Sequence, residues 1–281
     1  MFNKKIIIIA CSLAASVTAN NALAKGKPTV ENILPLTHTC SSTLKFRAQD
    51  MTYAQFVSSC ELVNAEESYF HQKLSTQNLP VDNDLNEDLR MVIFDDYRQY
   101  NRYGSRLFNI NTNNGGMYIE GDATSANNQA NFYAHEADWL RPEFSIWNLE
   151  HEYVHYLDGR FDLKGNFSDY PDTTVWWSEG VAEYISLKDN NDDAKALISV
   201  SGNNRTLEQI FATNYSNTSD DIYRWGYLGV RFIFENNISD IDTLRSLTRS
   251  ADWQGYQNEL NSWSAQYESQ WQTWLAALAN S

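Results

Sequence analysis

Basic residues are scarce: lysine and arginine total 21 against 36 aspartates and glutamates, a formal charge of −15 over 281 residues. Such a surface repels the phosphates of nucleic acid and of anionic membranes, so neither is expected as a partner. Cysteine is scarcer still, with three residues and no C-x-x-C spacing, which argues against a cysteine-ligated metal. Beyond the N-terminal leader no segment approaches the roughly 20 apolar residues of a membrane span. Internal repeats and low-complexity tracts are also missing. What is present is 42% hydrophobic and 14% aromatic residues, ample for a packed core in one large domain or two small ones.

The chain opens Met1-Phe2-Asn3-Lys4-Lys5, continues with apolar Ile6 to Ala10, and reaches small residues ending in Ala22-Leu23-Ala24. This is the order of a secretory signal, with cleavage expected after Ala24. A lipoprotein box at Ile8-Ile9-Ala10-Cys11 is the rival, weakened by the short apolar run between Lys5 and that cysteine. Removal of residues 1–24 leaves Cys40 and Cys60 as an even pair in an export context, where a disulfide is expected. The expected product is a secreted monomer, extracellular or periplasmic.

Pro28 and Pro35 keep residues 25–37 irregular. From Thr52, which suits a helix N-cap, apolar residues recur at near-helical spacing through Tyr53, Phe56, Cys60, Val63, Phe70 and Leu74, predicting a helix over 52–74. Polar punctuation at 80–84 precedes a buried-strand run at 89–94. The division expected is therefore a helical lead-in over 25–85 packed on a domain of 86–281. A helix is predicted over 95–106, a turn at Asn113-Asn114-Gly115-Gly116, strand character over 117–120 and an extended segment at 130–134. Helices follow at 145–157, with Gly159 as the C-cap, at 173–187, and near 194–200, 207–212, 222–235 and 253–278. Strands before and helices after give an α+β class, with a small mixed sheet ahead of a mostly helical C-terminal half.

The helix predicted over 145–157 carries His151-Glu152-Tyr153-Val154-His155, an H-E-x-x-H motif. Residues four apart share a helix face, so the two imidazoles can reach one zinc ion, while Glu152, turned about 100° away, can lean over a metal-bound water as general base. Catalytic zinc takes a third protein ligand and keeps a position open. Asp158 and Phe161 stand where a metzincin needs glycine and histidine, which rejects that pattern. Asp162, Asp169 and Asp172 lie in loop sequence. Glu179 is the better ligand because it sits on a second predicted helix, and Glu183, one turn further on, can hydrogen-bond a ligand histidine from behind. His135, beside Glu136, could also enter the site, although a lone histidine is more often structural. Gly115-Gly116 ahead of a strand suits either an ordinary turn or an edge to which an extended peptide adds.

Three runs then resemble one family: Asn113 to Gly121, Ile146 to Phe161, and Val175-Trp176-Trp177-Ser178-Glu179-Gly180-Val181-Ala182-Glu183-Tyr184. Together they are similar to the microbial collagenases of the Vibrio type. The resemblance implies a thermolysin-like gluzincin fold, His151, His155 and Glu179 as zinc ligands, and Glu152 as the base. It implies Gly115 and Gly116 as substrate-binding, Glu120 as a calcium ligand, and Tyr223 as the group that steadies the tetrahedral intermediate, with Tyr227 the alternative. It covers the Cys40/Cys60 pair as well. Such collagenases carry a large activator region before the peptidase domain, and this sequence is expected to lack it.

The function expected is a secreted zinc metalloendopeptidase acting on collagen-like, gelatin-like or other extended polypeptides through a zinc-activated water, with Zn2+ and Ca2+ as cofactors. The alternative is a secreted zinc-fold binding or toxin-like protein with little turnover. Intact Glu152 favours the enzyme.

Overall fold

In the computed structural model, residues 27–198 and 204–280 are described. The leader, its cleavage site, Cys11 and the end of the helix expected near 194–200 lie outside the described residues. Strands β1 (Leu36–Thr39), β2 (Leu44–Ala48), β3 (Leu89–Phe94), β4 (Met117–Ile119) and β5 (Ala130–His135) form one sheet in the order β1-β2-β3-β5-β4. β3 runs parallel to β2 and β5, while the two edge strands are antiparallel to their neighbours. The sheet is therefore mixed, as expected, and strands on both sides of residue 85 share it. β1 and β2 fall in a region where no strand was anticipated. The alternation of buried Leu44, Phe46 and Ala48 was the available signal.

The same period of two sorts β3 between two layers. Leu89, Met91 and Ile93 face the main core, where helix α2 (Tyr53–Leu74) and the motif helix pack, and Val92 and Phe94 face a smaller cluster with Tyr100, Ile110 and Tyr133. Tyr100 belongs to helix α3 (Tyr97–Phe108), and a single turn, α1 (Val30–Ile33), adds its residues to that cluster. Thr52 caps α2 in a capping box with Gln55. The Cys40–Cys60 disulfide is formed and ties the end of β1 to α2.

The motif helix α4 spans Leu149–Phe161, shifted from the expected 145–157. Ile146 is still extended, bridged to Glu136, and Asn148 adopts a left-handed conformation with φ 59°, so the helix cannot begin earlier. Its far end also corrects the expectation. Gly159 is inside the helix, and its missing side chain makes room for Glu120 Oε1, 2.5 Å from where a Cβ would stand. Past the helix end, Asp162 accepts from Trp177 Nε1 at 2.9 Å and from Arg245 Nε at 2.8 Å, joining α4 to two later helices.

Those later helices are α5 (Val175–Leu187), α6 (Asp192–Ile198), α7 (Leu207–Phe211), α8 (Gly226–Asn236), α9 (Ile238–Ser250) and α10 (Trp253–Leu278). The α5/α8 contact is the tightest. A Cβ on Gly180 would lie 2.5 Å from the carbonyl oxygen of Gly226, so the backbones touch only because neither residue carries a side chain. Residues 220–225, which overlap the start of the helix expected at 222–235, form a wider π-type coil. This coil swings Tyr223 toward the motif helix, its ring centroid 6.0 Å from that of His151.

Candidate active site

α4 and α5 converge so that His151 Nε2, His155 Nε2 and Glu179 Oε2 form a triangle. The sides are 3.1 Å between the histidines, 3.2 Å from His151 to Glu179 and 3.4 Å from His155 to Glu179. Tetrahedral zinc with donors at about 2.0–2.1 Å holds them roughly 3.4 Å apart, so the donor set and its spacing fit that ion. His151 and Glu179 are buried among Trp176, Trp177 and Val181. Burial opposes charge on His151, but Glu179, Glu183 and Glu152 outweigh it and lift the imidazole to about 10. For Glu179, burial is likewise overridden, by the two histidines, and its carboxyl is held well below the usual range. A cation entering this triangle therefore displaces protons from it.

The outer contacts orient the three donors. Glu183 Oε1 approaches His151 Nδ1 at 3.1 Å, somewhat off the N–H line, and Ser178 Oγ lies 3.4 Å from His155 Nδ1. Tyr215 donates to the other Glu179 oxygen at 2.7 Å. Sequence reasoning missed Tyr215, because a half-exposed tyrosine in the polar run Asn214-Tyr215-Ser216 has no periodic or motif signal. The loop aspartates go elsewhere: Asp162 to Arg245, Asp169 to the backbone of Asn166, while Asp172 faces solvent. His135 is buried apart, its Nδ1 2.6 Å from the Glu136 carbonyl oxygen.

Glu152 stands in the same cleft with both oxygens occupied. Oε2 accepts from the backbone N–H of Tyr118 at 2.7 Å, and Oε1 from Asn148 Nδ2 at 3.1 Å. The αL turn at Asn148 that delays the helix start is what brings this amide to Glu152, a second contact that sequence gave no sign of. The cleft, about 910 Å³, is bordered by Gly116, Tyr118, Glu152, Tyr215 and Tyr223. Tyr223 is pushed up to about 12 by burial and then by the charges of Glu179, Glu152 and Glu183, so its hydroxyl stays a donor. Tyr227, the alternative, is fully buried and donates to the Lys188 carbonyl.

β4 presents its free edge to this cleft. Since Tyr118 turns its N–H outward to Glu152, the period of two turns the backbone groups of Gly116 outward too. Gly115 is a glycine for another reason: its φ is 78°, and a Cβ would sit 2.8 Å from Trp147 Nε1. Past the strand, Glu120 is buried, with Oε2 accepting from Phe167 N at 3.1 Å. Burial first, and then the charges of Asp84 and Asp169, lift it to about 7 against the pull of that N–H. Asp84 has a buried oxygen with no hydrogen-bond partner. Asp84 is itself raised by burial, with Arg160 and the backbone and side chain of Asn86 opposing.

The profile of the collagenase family (peptidase M9) matches residues 14–274. A microbial collagenase of Vibrio alginolyticus is 44% identical over 249 residues, 88% of this chain and 30% of that protein. One from Vibrio parahaemolyticus is 39% identical over 248 residues, with the same coverage of each chain. Collagenase ColA of Clostridium perfringens is 28% identical over 210 residues, 68% of this chain and 18% of that protein. The chain thus spans about 30% of the length of its Vibrio relatives.

Proposed function

Because the chain belongs to the collagenase family of peptidase M9, we propose that it is a secreted zinc metalloendopeptidase that hydrolyses collagen-like, gelatin-like or other extended polypeptides. The observation that carries this reading is the His151/His155/Glu179 triangle with the Glu152 carboxylate beside it. Zinc held by that triangle supplies Lewis acidity toward the scissile carbonyl and toward a water. Glu152 takes the proton of the attacking water on a carboxylate oxygen and returns it to the leaving amide nitrogen. Asn148 and the Tyr118 N–H hold that carboxylate in place meanwhile. Tyr223 donates its phenolic hydrogen toward the oxyanion.

The substrate backbone adds to the free edge of β4 through Gly116 and the Tyr118 carbonyl, with Gly115 shaping the turn that exposes them. Glu120 is our assignment for a calcium ligand, supported by its burial and by Asp84 and Asp169 nearby. We assign the fold to the thermolysin-like gluzincins, with 25–85 as a lead-in that shares its sheet and core with the peptidase residues 86–281. The leader-like residues 1–24 and the Cys40–Cys60 disulfide support export. Among the described residues no helix is long and apolar enough to cross a membrane.

The test is digestion of denatured collagen and casein by purified protein, with and without a chelator, and with mass mapping of the products. Internal cleavage that the chelator abolishes and added zinc restores is the expected result. Zinc-loaded protein that cuts neither substrate would overturn the reading in favour of a binding protein.

A further inference from the structure

Asn114-Gly115 is the one Asn-Gly pair in the 281 residues, and it stands in the turn that delivers the chain to the start of β4. Glycine is imposed at the second position. Its φ of 78° and the Trp147 indole, 2.8 Å from where a Cβ would stand, leave no place for a side chain. A glycine shields its own amide nitrogen less than any other residue, so the fold sets the most open kind of backbone amide directly after an asparagine. That N–H donates to no group among the described residues, and no hydrogen bond withholds the nitrogen. Asn114 itself is exposed, on the rim of the catalytic cleft. Its Nδ2 faces the Met117 sulfur at 3.6 Å, a weak acceptor. Its Oδ1 accepts from the Tyr100 hydroxyl at 3.0 Å. Burial first, and then Glu152 and Tyr97, push that phenol well above its ordinary range, so it stays a donor.

We propose that Asn114-Gly115 is a self-modification site, a succinimide-forming pair whose conversion ages the cleft. The Gly115 nitrogen attacks Cγ of Asn114 and gives up its proton to hydroxide from solvent as the new N–C bond forms. Negative charge then gathers on Oδ1, where the Tyr100 hydroxyl already donates, an oxyanion contact in place before the reaction. The Cγ–Nδ2 bond breaks, Nδ2 takes a proton from water, and ammonia leaves. Water opens the five-membered ring at either carbonyl, so residue 114 becomes aspartate or isoaspartate, the latter with one more methylene in the backbone. Nothing is oxidised or reduced, and water is the sole co-reactant. The consequence for activity rests on the peptidase reading of the cleft. Either product puts a carboxylate on a rim that already holds Glu152, Glu179 and Glu183. The isoaspartyl form also lengthens the backbone just ahead of Gly116, where the substrate is taken to pair. Peptide binding should weaken, which raises KM.

The experiment ages the zinc-loaded full chain at mildly alkaline pH and isolates intact protein by gel filtration before each reading. Residue 114 is followed by peptide mapping, by isoaspartyl methyltransferase labelling and by uptake of heavy oxygen from labelled water. Asn114 should convert in the folded protein while Asn113, whose successor carries a side chain, stays intact. Tyr100→Phe keeps the ring, removes the hydroxyl and should slow conversion by about twofold to tenfold, the worth of one neutral hydrogen bond. In urea the hydroxyl no longer stands beside the amide, so variant and wild type should convert there at equal rates. No conversion in the folded protein overturns the proposal, as do equal rates in folded wild type and folded Tyr100→Phe. KM for a fluorogenic gelatin-like peptide should rise in step with conversion. Asn114→Gln, which would have to close a six-membered ring, should keep its starting KM through the same ageing. Conversion with an unchanged KM overturns the ageing of the cleft. If fresh protein cleaves nothing, the peptidase reading fails by itself, and the mapping still decides the modification site.

Discussion

Glu152 Oε2 accepts a hydrogen bond from the backbone N–H of Tyr118 at 2.7 Å, so the carboxylate of the motif helix is bonded to the free edge of β4. Replacing Glu152 by Gln keeps an oxygen for Tyr118 and removes the proton acceptor. Turnover should fall by about a hundredfold to ten-thousandfold while zinc stays bound. Steady-state assay beside metal analysis of the purified variant checks both halves of the statement.

Glu183 stands behind His151, 3.1 Å from Nδ1. Without it the imidazole loses its orienting partner, and Glu183→Ala should weaken zinc affinity by about tenfold to a hundredfold. Competition with a chromophoric chelator measures this. Unchanged affinity would show that α4 and α5 hold the imidazole without help.

At Gly180 a methyl group would meet the Gly226 carbonyl at 2.5 Å. Gly180→Ala should cost about 1–3 kcal/mol of stability through forced separation of α5 and α8. Because Glu179 is the adjacent residue, zinc affinity should drop as well. Denaturant titration and metal competition read the two effects separately.

Glu66 is buried on α2 with neither oxygen hydrogen-bonded. Burial first, and then the charge of Glu150, push it up to about 8, with Lys188 and His151 opposing. Between its ordinary value of 4.5 and that value, the folded protein holds a proton that the unfolded chain has released. Stability should therefore decline as pH rises through that window, by at most about 1.4 kcal/mol per pH unit. Glu66→Gln should flatten the decline, as urea titrations from pH 5 to 8 would show.

Cys40 and Cys60 close a loop with a separation of 20 residues. Double replacement by serine should lower stability by about 3 kcal/mol, seen as a fall in Tm, without altering the zinc triangle.

The parts of this site that sequence revealed are those whose chemistry is local. His151 and His155 share a helix face by spacing alone, and Glu179 and Glu183 share another, so four residues are legible in the sequence. Asn148 and Tyr215 were not, because each acts through a contact that only the folded chain creates. The start of α4 was misplaced because apolar Ile146 and Trp147 continue the helical spacing while the backbone is still extended. Gly159 was read as a helix stop, since a glycine accommodating a carboxylate from another strand looks the same in sequence as one ending a helix. β1 and β2 were missed because short strands offer few periods to count, and their pairing with β3 is long-range.

Two contacts dock α4 on the strand edge: Glu152 with Tyr118, and Gly159 with Glu120. They lie seven residues apart on the helix, about 10 Å, and two apart on the strand, about 7 Å. The Glu152 and Glu120 side chains take up the difference, so helix and strand behave as two rulers pinned at two marks, and neither can slide without breaking both. For hybrid proteins this sets where the chain can be cut. A crossover with a relative between residues 120 and 149 would join a ruler from one parent to a ruler from the other, whereas exchange of 115–161 as a block carries the alignment with it.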